Sequence, residues 1–202
     1  MERGHTRPSL RQLAEAADVT VPTLRHYFGT RDELVAAVFA EQHRLGAPYL
    51  EQAAEPRGDF ENSVRDFLAS FTLALTRARL GDILALGFIE GLLNGRLGPA
   101  ALAHILDPAI DALEERLRAH QARGEMIDAD PRHAAIILLS PVVLAGHHQD
   151  QMFGRTQRPL DADAFIDDLT RAFVRAYEAR PAAPADAAPA NGSDRPALTR
   201  RA

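Results

Sequence analysis

Between positions 20 and 31 the chain gathers Thr20, Val21, Thr23, Arg25, His26, Tyr27 and Arg31, with Arg11 a short way upstream. Hydroxyls and a phenolic O–H suit phosphate oxygens, and an arginine suits a phosphate or the edge of a guanine. This is the chemistry of polyanion recognition, and it needs no nucleophile. Catalytic arrangements are thin elsewhere. Glu114-Glu115 and Asp167-Asp168 read as helix surface charges, and no Ser-His-Asp set or glycine-rich phosphate loop stands out. No catalysis and no cofactor are expected. His147-His148-Gln149-Asp150, with His104, His120 and His133 elsewhere, invites a metal site. Adjacent helical residues point about 100° apart, so His147 and His148 do not readily share an ion. His147 and Asp150 can, but a third ligand is wanting. These histidines are expected in a pocket wall, in solvent or on a subunit seam.

The elements that must position the polyanion chemistry are legible locally. Ser9 can cap a helix whose Leu10, Leu13, Ala14 and Ala17 fall on one face. Ala14 is small where a second helix must come close. Asp18 sits at the turn, where left-handed backbone is wanted. Thr20 can cap the next helix, and Pro22 lies in its first turn, where a missing N–H does little harm. Leu24 and Phe28 are i and i+4 on it. Thr30 and Glu33 have the spacing of a capping box opening a third helix. The pattern is a helix-turn-helix, whose second helix enters the DNA major groove.

The run Leu10-Arg11-Gln12-Leu13-Ala14-Glu15-Ala16-Ala17, then Val19-Thr20, Thr23-Leu24-Arg25-His26-Tyr27-Phe28 and Thr30-Arg31-Asp32-Glu33-Leu34, resembles the N-terminal domain of the TetR family of transcriptional regulators. The resemblance implies that Val21, Thr23 and Arg25 face bases, and that Thr20, His26, Tyr27 and Arg31 grip the backbone, with Arg11 also reaching phosphate. The alternative for His26 and Tyr27 is packing against the following helix. Family members carry a helix ahead of this motif. Here eight residues precede Ser9, and Glu2-Arg3-Gly4 resembles that helix's end. Either the true start lies upstream of Met1 or the first helix has been lost; the polypeptide as given is expected to dimerise but to bind DNA poorly, and an upstream extension to restore binding.

Composition bounds the rest. The chain has 202 residues, 46% of them hydrophobic, with a net charge of −5 and no cysteine. Disulfides and thiol chemistry are thereby excluded. The net charge argues against indiscriminate nucleic-acid binding. Within residues 1–31, however, the arginines at 3, 7, 11, 25 and 31 outnumber Glu2, Glu15 and Asp18, a local balance of 5 − 3 = +2. Every basic residue is arginine. No signal peptide is visible, and the longest apolar run, 134–146, is too short to span a bilayer. A cytoplasmic protein without membrane contact is expected.

Beyond the motif an all-α chain is expected. Its helices span 31–54, about 59–79, 82–95, a short one after Pro99 broken at Asp107-Pro108, one from Pro108 to about Gly124, 131–152, and a last one from Asp161 or Asp163 carrying Phe165, Ile166, Leu169, Phe173 and Tyr177. The expected division is a helix-turn-helix domain over 1–45, a helical effector-binding and dimerisation domain over 46–179, and a disordered tail over 180–202, too rich in Ala, Pro and polar residues to bury a core. Pro108 with Leu113 and Leu117, then 122–126, then Asp130-Pro131 before Leu139-Ser140-Pro141, resemble the family's C-terminal domain. That resemblance implies a homodimer paired through the last two helices and an effector pocket in the helices before them. Its lining would come from Phe67, Phe71, Leu75, Phe88, Leu92, Leu106, Ile110, Leu138, Val142 and His147, residues that would equally fill a core. Pro141 removes one backbone bond in mid-helix, which either opens a cavity or is made good by a neighbour.

The sequence is thus read as a ligand-responsive, operator-binding transcriptional regulator, a repressor released by a small, largely apolar effector. The alternative is a ligand-binding or interaction module of the same fold that has lost DNA binding.

Overall fold

The computed structural model describes residues 7–179. The tail over 180–202 and the first six residues lie outside them. Ten α-helices follow one another among the described residues: α1 (Leu10–Ala16), α2 (Val21–Phe28), α3 (Arg31–Ala54), α4 (Phe60–Thr76), α5 (Leu80–Leu93), α6 (Gly98–Ala101), α7 (Asp107–Ala122), α8 (Pro131–Gly146), α9 (Gly154–Gln157) and α10 (Ala162–Tyr177). A single antiparallel bridge, Met126 to Glu178, is the β pairing among them. The all-α expectation holds.

Most of the long helices start where a short polar side chain takes up an orphan N–H. Asp59 accepts from Asn62, Asp130 from Arg132 and His133, and Asp161 from Ala164. Asp161, not Asp163, therefore opens α10. Pro48 and Pro141 lie inside α3 and α8 without ending them. Next to Pro141, the Ser140 Oγ donates to the Ile136 carbonyl at 2.7 Å. α3 also runs unbroken through residue 45.

Two boundaries differ from the sequence expectation. There is no break at Asp107-Pro108. A π-helical turn over Leu102–Leu106 joins α6 directly to α7, with the Asp107 N–H reaching the Leu102 carbonyl. Pro108 sits in the first turn of α7, where it forfeits little. Likewise α8 stops at Gly146, and His147–Gln151 form a second π-turn closed by Met152 N–H to His147 O at 2.9 Å. The wider turn rotates Gln149 inward. There its amide donates to the Arg158 carbonyl and accepts from the Leu160 N–H, both at 3.0 Å, which draws the following loop onto the body. Short α9 in that loop has no periodic signal in the sequence.

The core is built on α4. Its Phe60, Val64, Phe67 and Leu68 are buried against Leu113 and Leu117 of α7, Leu138 and Leu139 of α8, and Ile166 and Phe173 of α10. Ala134 and Ala135 keep α8 thin where α7 crosses it. A charge is buried in this apolar interior: Arg116 of α7 is 2% exposed. Its Nε donates to the Ala53 carbonyl at 2.6 Å, and its Nη1 to the Ser63 carbonyl at 2.8 Å and the Ser63 Oγ at 3.1 Å. It lies over the Phe67 ring at 5.6 Å. One side chain thereby ties the end of α3 to the first turns of α4.

Candidate nucleic-acid interface

The N-terminal helices are assembled from local hydrogen bonds. Ser9 and Gln12 form a reciprocal capping box, with Gln12 N–H to Ser9 Oγ at 3.3 Å and Ser9 N–H to Gln12 Oε1 at 2.8 Å. Asp18 takes the left-handed backbone expected of it, at φ 54°. Thr20 accepts from the Thr23 N–H at 3.2 Å, and their hydroxyls are 2.8 Å apart. Gly29 turns the chain at φ 74°, where a Cβ would lie 2.4 Å from the Glu33 carboxylate. That carboxylate accepts from the Thr30 N–H at 2.7 Å, and this bond holds it below the usual range. Ala14 and Leu24 are buried within α1 and α2, whereas Val35 and Phe39 of α3 are buried in the core of the body.

This scaffold presents one face to solvent. Arg11, Thr20, Arg25, His26 and Tyr27 are exposed, Tyr27 at 73%, and Val21 and Thr23 are half-buried beside them. His26 and Tyr27 pack edge to face on each other, ring centroids 5.1 Å apart, rather than under α3. Among the described residues no ion pair engages Arg11 or Arg25, so both guanidinium groups are available to an anion.

Arg31 is placed differently from the rest of the set. It is turned from that face toward α5. Its Nε donates to the Pro8 carbonyl at 2.6 Å, its Nη1 to Glu90 Oε2 at 3.0 Å, and its Nη2 to Glu90 Oε1. Arg7 adds bonds from Nε at 3.0 Å and Nη2 at 2.8 Å to the same carboxylate, which is fully buried. The Asn94 amide donates to Asp32 at 2.8 Å close by. Hydrogen bonds from Arg31, ahead of those from Arg7, hold the Glu90 carboxyl below its ordinary range against the opposing push of burial. With a depressed folded-state value, this group's stability contribution is present above the ordinary carboxylate value. It is lost as pH falls through the depressed one. Composition gives Glu90 no prominence; the missed signal was an acid set among the apolar residues that follow Asp82 in α5.

In the body, the ten expected lining residues separate. Phe67, Leu75, Leu138 and Val142 are core. Phe71 stacks on Phe67 at 6.0 Å, and Phe88 meets His147 edge-on at 5.5 Å. Leu106 and Ile110 are partly buried against the core, whereas Leu92 is 82% exposed and stands apart. A recess of about 170 Å³ lies between Leu75, Thr76, Arg79 and Asp82 on one side and Asp150, Gln151 and Arg155 on the other. A smaller one of about 60 Å³ adjoins it, reaching Thr72, Val142, Phe165 and Ile166. Thr72 Oγ1 and His147 Nε2 are buried without a hydrogen-bond partner. His147 turns its Nδ1 to Gln151 at 3.0 Å, and Asp150 pairs with Arg155 at 2.5 Å, so these two do not converge. Among the described residues no three metal-ligating side chains gather, and no described helix is long and apolar enough to cross a membrane.

The class is therefore an all-helical protein with a helix-turn-helix head on a helical body. Residues 1–38 match the family model described as bacterial regulatory proteins, tetR family. That match covers the N-terminal helices, and the described chain has the fold seen in TetR-family transcriptional regulators. A structure from Mesorhizobium loti assigned to TetR-family transcriptional regulators shares 17% identity over 85% of this chain and 87% of its own, with a TM-score of 0.66. The fatty acid degradation regulator FadR from Bacillus halodurans shares 16% over 86% and 87%, with a TM-score of 0.64. A TetR family transcriptional regulator from Pseudomonas syringae pv. tomato shares 19% over 88% and 89%, at 0.50. No curated protein matches the chain.

Proposed function

We propose that the chain is a homodimeric, ligand-responsive repressor of transcription, in which α2 reads operator DNA and a small, largely apolar effector held in the body releases it. The observation that carries the DNA-binding part is the exposed face of α2, with Arg25 and Arg11 unpaired above a rigidly capped scaffold. Val21, Thr23 and Arg25 address bases; Thr20, His26, Tyr27 and Arg11 grip phosphates. Dimerisation through α8 and α10 is supported by the apolar stripe that α8 leaves uncovered. The effector reading is supported by Thr72 Oγ1 and His147 Nε2, two buried polar atoms that lack partners among apolar and aromatic neighbours. Binding shifts the population between arrangements of the heads. The protein acts in the cytoplasm.

Selection from a random DNA pool, followed by titration, tests this. One enriched half-site motif in two copies is expected. Arg25→Ala should then weaken binding by about 1–3 kcal/mol and relax the preference at one base position. An equal loss on every sequence would remove Arg25 as a base reader, and an unenriched pool would remove the function.

A further inference from the structure

We infer that the buried Glu90 carboxylate is the joint that fixes the orientation of the reading head on the body, with Arg7 and Arg31 as the head's two grips on it. The geometry is specific. Arg7 precedes α1, Arg31 is the first residue of α3, and Glu90 lies in α5, 83 and 59 positions away in sequence. Arg31 spends its Nε on the Pro8 carbonyl and both terminal nitrogens on Glu90. One guanidinium thus couples the entry to α1, the start of α3 and the last turn of α5. Its planar fork sets angle as well as distance, which a lysine would not do. α1 packs on α2 and α2 on α3, so the helix-turn-helix moves with the first residues of α3. Asn94, the residue that caps the C-terminus of α5, gives a second strut to Asp32.

A fully buried carboxylate facing two cations is weak evidence of stability, because desolvation offsets much of the attraction. It strongly disfavours arrangements in which a partner is lost. That asymmetry suits a positioning device: the head has one satisfied setting, and leaving it strands a charge. α5 also carries Phe88, two residues from Glu90, against His147 in the body interior. A displacement of α5 there is delivered to the head through Glu90. This consequence rests on the proposed regulatory function; the joint itself does not.

The test uses the full chain, which contains no cysteine, so introduced ones are labelled alone. Glu15→Cys on α1 and Glu115→Cys on α7 are both exposed and take spin labels. Doubly labelled chains diluted into unlabelled protein report the intrachain distance by pulsed electron resonance. One narrow distance is expected in the parent. Glu90→Gln, and separately the Arg7→Gln, Arg31→Gln pair, should broaden or shift it, while hydrogen exchange in both the head and the body stays as protected as before. An unchanged narrow distance in either folded variant overturns the inference. So does a lost distance accompanied by lost protection of α1 and α2, which would make these residues necessary for folding the head rather than for aiming it. If Glu90→Gln does not fold, the arginine pair alone decides. On operator DNA, the folded variants should lose about tenfold or more for two half-sites and nothing for one half-site, since only the two-site complex needs both heads aimed. A chain that binds no DNA would defeat the proposed function and leave the distance result standing.

Discussion

A chain carrying Ile137→Glu and Leu144→Glu is expected to sediment as a monomer, with unchanged helix content, at concentrations where the parent is a dimer. Ile136, Ile137 and Leu144 are 40%, 54% and 69% exposed on one side of α8, on the same helix whose other side holds Leu138, Leu139 and Val142 in the core. A stripe of this kind at helical spacing is suited to being covered by a second copy, as the proposed homodimer requires. Exposed glutamates cost the isolated chain little, but in a subunit interface each is buried without a partner. The choice of residues matters. Leu169 and Phe173, attractive on α10 by spacing alone, pack inward. Phe173 is 3% exposed, with its ring 6.1 Å from Phe60 and 4.5 Å from Tyr177. Glutamate at Phe173 would unfold the body and report nothing about assembly. Analytical ultracentrifugation decides the matter: a parent that is monomeric, or a double variant that stays dimeric, removes α8 as the interface.

The second large effect concerns stability. Arg116→Ala should lower the unfolding free energy by about 3 kcal/mol, because it empties part of the core and strands the Ala53 carbonyl at the end of α3 together with the Ser63 hydroxyl. Arg116→Met should recover part of the loss by refilling the volume without restoring the hydrogen bonds. Burial depresses the affinity of Arg116 for its proton, yet the group stays charged throughout the neutral range. The defect should therefore be as large at pH 6 as at pH 8. Urea unfolding followed by circular dichroism measures all three proteins. Equal stability of the parent and Arg116→Ala would show that the α3–α4 corner is held by other contacts.

The local devices were readable from residue types and spacing because each is completed within four residues. The Ser9 and Thr30 capping boxes, the Thr20 cap, the left-handed Asp18 and the amphipathic stripes of α4 and α10 need no distant partner. The all-α class and the helix-turn-helix follow from them. So does the solvent-facing set on α2, since a short helix that buries Leu24 offers its other side to solvent, although Phe28, four residues on, is 39% exposed rather than buried.

Only the tertiary structure decided what each arginine does. Arg25 and Arg31 look alike in the sequence, but Arg31 is claimed by a carboxylate 59 residues away, and Arg116 by carbonyls 53 and 63 residues away. Periodicity also cannot foresee a π-turn, because one extra residue in the ladder changes which face points inward while leaving the residue types untouched. Leu92 and Leu138 are both leucines at helical spacing, yet one is open to solvent and the other enclosed. A sequence records which side of a helix is apolar. What lies against that side, and which charge is buried by it, depends on how distant helices cross.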